Sequence, residues 1–144
     1  KKYFTKIQII EFSLLYIILN HSKVSSNKLE ELSNMDFLDQ KNQKLKQDII
    51  NHLLERSNQN DTNFTVSNKF KTIIEEINEL SNIKLITINK TDKDILDLLD
   101  ELIQDHRDQS NLKKIESLEK KLINNLDENS YSELIKLKSQ LNRD

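Results

Sequence analysis

The sequence predicts an all-α fold: a helical bundle followed by a long stalk helix and a C-terminal αα-hairpin. Three observations carry that prediction. The 144 residues contain no Gly and no Pro, where ordinary usage would supply about ten of one and seven of the other, so the residues that most often interrupt helices are missing. Apolar residues recur at spacings of three and four through most of the chain. With 35% hydrophobic and 32% charged residues, each element has only a narrow apolar stripe to bury, which suits helices.

Thr5 to Asn20 carries Ile7, Ile10, Leu14, Leu15, Ile17 and Ile18 at helical spacing, with Phe12, Tyr16 and Leu19 on the remaining sides. A helix apolar nearly all round reads as the buried central one. Asn27 to Ser33 reads as a short helix with Asn27-x-x-Glu30 as its capping box and Leu29 and Leu32 inward. Met35, Phe37 and Leu38 are expected to plug the core ahead of a helix from Asp39 to Arg56, which places Leu45, Ile49, Leu53 and Ile50, Leu54 on one face. Ser57 to Asn63 is polar loop. Val66, Phe70, Ile73, Ile74, Ile77 and Leu80 then give the cleanest helical period in the chain. Ile83, Leu85, Ile86 and Ile88 are bulky enough for a strand, but no second segment offers a pairing partner, so Ile83 to Ile88 is expected to be an extended connector.

From the capping signature Thr91-x-x-Asp94 a helical pattern continues to Leu126 without a breaker. Ile95, Leu96, Leu98, Leu99, Leu102 and Ile103 form one apolar stripe. Gln104 to Asn111 is wholly polar and reads equally as helix or hinge. Leu112, Ile115, Leu118, Leu122 and Leu126 resume the stripe. About 35 residues at 1.5 Å each make on the order of 50 Å, longer than such a domain is wide, so the far half is expected to project. Asp127-Glu128-Asn129 reads as a turn and Ser130-x-x-Glu133 as the cap of a last helix, whose Tyr131, Leu134, Leu137 and Leu141 face back onto the Leu112 to Leu126 stripe. The expected division is residues 1–90 as a bundle and 91–144 as long helix and hairpin.

The same composition removes many chemistries. Without glycine there is no phosphate-cradling loop, dinucleotide turn, nucleophile elbow or calcium loop. Without cysteine there is no disulfide, thiolate nucleophile or zinc finger. A net charge of −2 and a pI near 6.0 argue against a chain built to hold phosphate backbone. His21, His52 and His106 share no ligand spacing and read as loop-end or surface residues rather than metal ligands. Asp94, Asp97, Glu101, Asp105 and Asp108 fall on one side of the long helix and read as a solvated face. Lys113, Lys114, Lys120, Lys121, Lys136, Lys138 and Arg143 give the hairpin a basic character beside an acidic stalk, an arrangement suited to helix solubility or to docking on an acidic partner. No catalytic, cofactor-binding or metal-binding residue is expected.

Lys, Asn and Ile occur 19, 17 and 18 times, Arg three times and Ala not at all, which points to an AT-rich genome. The chain opens Lys1-Lys2-Tyr3 without an initiator Met and reads as a piece of something longer. Phe12 to Leu19 is the densest apolar run; no small-residue cleavage site follows it, and eight residues are too few to span a bilayer.

Taken in order, these pieces resemble the C-terminal helicase-binding domain of bacterial DnaG-type DNA primase, alphaproteobacterial in character. EFSLLYIILNHSKV (Glu11 to Val24) resembles that family's first helix, an apolar run ending Leu-Leu-x-His-Pro; Leu19-Asn20-His21 matches, and Ser22 stands in place of the proline. LEELSNMDFLDQKNQKLKQDIINHL (Leu29 to Leu53) resembles the Leu-x-x-Leu, Phe and Leu-x-x-x-Ile pattern that follows. The stretch from His106 to Asp144 resembles the family's terminal hairpin, including its turn and its Leu-x-x-x-Leu ending. The resemblance is weakest from Ser57 to Lys90.

The resemblance implies a recruiting segment in the bacterial cytoplasm with no primer synthesis of its own; the zinc and magnesium of the parent polymerase belong to other domains. It implies docking of the hairpin on the N-terminal domain of the hexameric replicative helicase. The matching contact positions are Lys138, Ser139, Gln140 and Arg143, with Leu134 and Leu141 as apolar support. In some members the bundle also takes the acidic tail of single-stranded DNA-binding protein. No membrane partner and no direct nucleic-acid contact are expected. The competing identifications are the helicase's own N-terminal domain, which the bundle resembles, and an unrelated helical adaptor.

Overall fold

The computed structural model describes residues 3–56, 70–79, 81–125 and 127–141. Among them every regular element is helical and none is a strand, so the protein is all-α. In order these are α1 (Lys6–Asn20), α2 (Ser22–Ser25), a 3₁₀ turn (Ser26–Lys28), α3 (Leu29–Asn34), α4 (Gln40–Arg56), α5 (Lys71–Glu79), α6 (Ser81–Thr87), α7 (Asp92–Asn124) and α8 (Glu128–Leu141). No helix among the described residues is long and apolar enough to cross a membrane. The chain divides into two compact units, residues 1–103 and 104–144, so the apolar first stretch of α7 belongs to the first unit.

In the first unit α1 is the central helix, packed against α2, α4 and α5. Thr5 caps it through a full capping box with Gln8, a signal the sequence reading passed over. Leu14, Leu15, Ile17 and Ile18 are completely buried. Around them close Leu45, Ile49 and Ile50 of α4, Phe70, Ile73 and Ile77 of the α5 segment, and Ile95, Leu99 and Ile103 of α7. Phe4 meets Phe12 edge-on at 5.0 Å. The expected core faces of α1, α4 and α5 are therefore the observed ones, while Val66, Leu80 and Ser57 to Asn63 lie outside the described residues. Leu54 departs from its expected face, at 51% exposure.

Local readings differ at several places. Ser22–Ser25 is helical and leads into the 3₁₀ turn, so Asn27 sits inside that turn and α3 begins after Lys28 with no side-chain cap; an N-cap needs extended backbone, which a nearly continuous helical path does not offer. Leu32 is buried, but Leu29 is only partly so. Leu38, expected in the core, is 43% exposed: its backbone is what is anchored there, as described below.

Ile83 to Ile88, expected as an extended connector, lies mostly in helix α6. Ile83 and Thr87, four residues apart, turn inward together, and the Thr87 hydroxyl donates to the Ile83 carbonyl at 3.0 Å. The chain then leaves α6 through Asn89 at φ 58°. That left-handed position is glycine's usual place after a helix, and in a chain with no glycine asparagine, the next most tolerant residue there, fills it.

In the second unit the α7 segment from Gln104 pairs with α8 through Ile115, Leu118, Leu134 and Leu137, flanked by Leu122 and Leu141. Residues 104–111 are helical. The cap of α8 is Asp127, whose carboxylate accepts from the Asn129 amide at 3.1 Å and from the Ser130 hydroxyl at 3.1 Å; Ser130 and Glu133 lie inside the helix rather than at its start. Two residues expected in the seam are outside it: Leu112 is 40% exposed and Tyr131 53%. Leu126 lies outside the described residues.

Candidate docking surface

The buried polar groups of the first unit build the scaffold. Glu11, on the central helix and wholly buried, accepts from the Leu38 amide at 2.6 Å, the Asp39 amide at 3.2 Å and the Asn42 side-chain amide at 3.3 Å. A carboxylate taking several N–H groups at the start of a helix is a favourable burial, and here it fixes the segment between α3 and α4. Asp39 completes that start by accepting from the Asn42 amide at 3.1 Å.

From the other side, Gln43 accepts from the Phe37 amide at 2.8 Å, Gln47 donates to the Ser33 carbonyl at 3.1 Å, and the Lys46 ammonium donates to the Met35 carbonyl. The ammonium also sits 4.8 Å from the centre of the Phe37 ring, a cation–π distance. Burial pushes the Lys46 pKa down to about 8, against the opposing pull of Asp36 and Glu11. All of these groups serve the loop; they are enclosed by protein rather than aimed into an open cleft.

The histidines do not converge. His21 caps the end of α1, His52 is half-buried on α4, and His106, expected at a loop end or on the surface, is buried on α7 at 3% exposure. An isolated histidine in a long polar stretch gives no sequence sign of burial. Among the described residues no group of three His, Cys, Asp or Glu could hold a metal ion. Asp94, Asp97, Glu101 and Asp105 are exposed and Asp108 is half-buried, where Asp108 accepts from Gln104 at 3.0 Å. Lys28 pairs with Asp100 at 2.9 Å, and that contact raises its pKa.

Of the positions singled out on the last helix, Leu134 is in the seam, Leu141 is half-buried at its end, and Lys138, Ser139 and Gln140 are exposed on consecutive positions. Lys138 pairs with Glu119 across the hairpin at 3.0 Å. Arg143 lies outside the described residues. The other hairpin lysines, Lys113, Lys114, Lys120, Lys121 and Lys136, are all exposed.

Three apolar residues stand exposed on this surface, Ile123, Tyr131 and Ile135, at 82%, 53% and 50%; Tyr131 was expected in the seam, and Ile123 and Ile135 were missed in the sequence. Ile123 follows Leu122 and Ile135 follows Leu134, so each is rotated about 100° off the seam. An apolar residue one step off a helical stripe was the available signal. Residues 112–144 hold seven basic side chains against six acidic ones, whereas 91–111 hold seven acidic against two basic. The strong field of this chain is the acidic one; the hairpin is nearly balanced.

Family models, curated proteins and solved structures yield no match to this chain.

Proposed function

We propose that this chain is the helicase-interaction domain of a bacterial DNA primase, recruiting the primase to the hexameric replicative helicase for RNA primer synthesis at the replication fork. The hairpin of the second unit is the docking element and the helicase N-terminal domain its partner. The partner's identity rests on the resemblance of Glu11–Val24, Leu29–Leu53 and His106–Asp144 to that family.

One observation carries the docking reading. The hairpin closes its seam on Ile115, Leu118, Leu134 and Leu137 and still presents Ile123, Tyr131 and Ile135 outside it. Apolar side chains beside a polar rim of Lys138, Ser139 and Gln140 make the kind of surface on which a few anchors supply most of the binding energy.

The residues here do not fit either metal of the parent enzyme: the chain has no cysteine, and the described carboxylates do not converge. By the resemblance, primer synthesis belongs to other domains of the parent.

Titration of the purified helicase hexamer with the full chain tests the reading. Ile135→Asp and Arg143→Glu are each expected to weaken binding tenfold or more while leaving the helical circular dichroism unchanged. Binding that is absent in the wild type, or insensitive to both substitutions, rejects it. An isolated helicase N-terminal domain would instead self-associate, which light scattering detects.

A further inference from the structure

The first unit has an apolar opening that the hairpin reading leaves without a role. Where α1, α6 and α7 meet, a groove of about 280 Å³ is lined by Ile9, Ile83, Ile86, Leu98 and Leu102, with Ser13, Glu79 and Asn82 beside them. Ile9 is the one exposed large apolar side chain of α1, at 45%, and Ile86 lines the same groove at 49% exposure. Leu85 and Ile88, flanking Ile86 in sequence, are 67% and 54% exposed. Ile9 and Ile86, two large apolar side chains so exposed in one groove, are a patch rather than the scatter normal on a surface.

Ile86 and Leu98 also line a second depression of about 250 Å³, whose other members are Lys90, Asp94, Ile95, Asp97 and Glu101. The two hollows adjoin at Ile86 and Leu98, so the apolar groove and the charged hollow form one track. Among the lining residues Glu79, Asp94, Asp97 and Glu101 stand against one cation, Lys90, and three of these carboxylates fall in residues 91–111, where acidic side chains outnumber basic ones seven to two.

We propose that this track is a docking site for a basic amphipathic helix of a partner protein. The apolar floor takes the side chains that such a helix repeats at three- and four-residue spacing, and the carboxylate rim pairs with its lysines and arginines. Nucleic acid and anionic lipid carry the charge of the rim itself. A second copy of this chain is a poorer occupant, because a symmetric contact would bring the two acidic rims together. The site lies wholly in the first unit and stands independently of the hairpin's partner.

The test uses the full chain and a fluorescein-labelled helical peptide of about 18 residues, roughly five turns, with Leu along one face and Lys elsewhere. Its control replaces every Lys by Glu. Anisotropy is expected to show saturable binding of the lysine peptide, at least tenfold weaker binding of the glutamate peptide, and at least tenfold loss with Ile86→Asp. That substitution separates docking from charge attraction, because it adds a negative charge: unspecific attraction would strengthen, whereas groove docking weakens. The double substitution Asp97→Lys, Glu101→Lys, at exposed positions, is expected to weaken the lysine peptide and improve the glutamate one. Ile135→Asp in the hairpin is expected to change nothing.

Equal binding of both peptides, indifference to Ile86→Asp, or loss of binding with Ile135→Asp would overturn the proposal. So would concentration-dependent self-association abolished by Ile86→Asp, which would make a second copy the occupant.

Discussion

The two units of this chain are held together by different means. In the first, a central helix is enclosed on several sides by α4, the α5 segment and the start of α7, and two buried charges, Glu11 and Lys46, are engaged in fixing the segment between α3 and α4. In the second, two helices share one seam of four buried side chains. The first has both a core and polar contacts that specify its loops. The second has one short seam to set its register, and Ile123, Tyr131 and Ile135 stand outside it.

The largest effect that would sharpen this contrast comes from emptying each core in turn. Leu14→Ala, at a completely buried position on α1, is expected to cost about 2–5 kcal/mol of stability. Leu118→Ala, in the seam at 8% exposure, should fall near the lower end, about 2 kcal/mol, and should loosen the hairpin while the first unit keeps its structure. Denaturant titration followed by amide signals from each unit separates the two. Equal loss of signal from both units with Leu118→Ala would break the comparison.

Next comes the buried ammonium. Because the folded state holds the Lys46 pKa at about 8, below the roughly 10.4 of an unfolded lysine, the unfolded chain binds the extra proton between those values and stability contributed by this site rises with pH there. Below pH 8 both states are protonated and the full burial cost is present. The stability of the wild type relative to Lys46→Met is therefore expected to improve from pH 8 to pH 10, and to be flat from pH 6 to pH 7. A difference that does not move across the alkaline range would mean that the ammonium is solvated.

A smaller effect tests the edge of the hairpin. Asp127→Ala removes the cap of α8 and is expected to cost about 1 kcal/mol, seen as faster amide exchange in the first turn of that helix. The same substitution at Ser130, inside the helix, should cost little. The reverse order would restore Ser130 as the cap.

Much of the fold was legible because its signal is periodic. The stripes of α1, α4 and α5, the Thr91–Asp94 cap and the Leu118/Leu134 seam all follow from apolar spacing and capping chemistry. What was not legible depends on tertiary context. The β-branched run at α6 read as extended because its local preference opposes helix, and the burial of Ile83 and Thr87 overrides it. Nothing in the spacing marks Glu11 and Lys46 as buried, because charge is ordinarily exposed; the loop returning to α1 and α4 gives them partners. Ile123 and Ile135 were passed over because each lies one helical step off the stripe beside it. The missing glycines hid the exit from α6, since asparagine does there what glycine usually does.

The measurement that bears most directly on the central claim is hydrogen exchange of the full chain with and without the purified helicase hexamer. The account predicts added protection in α8 and in residues 112–124, with α1 and α4 unchanged because they are already enclosed. Protection confined to the first unit, or no change anywhere at saturating helicase, would contradict it.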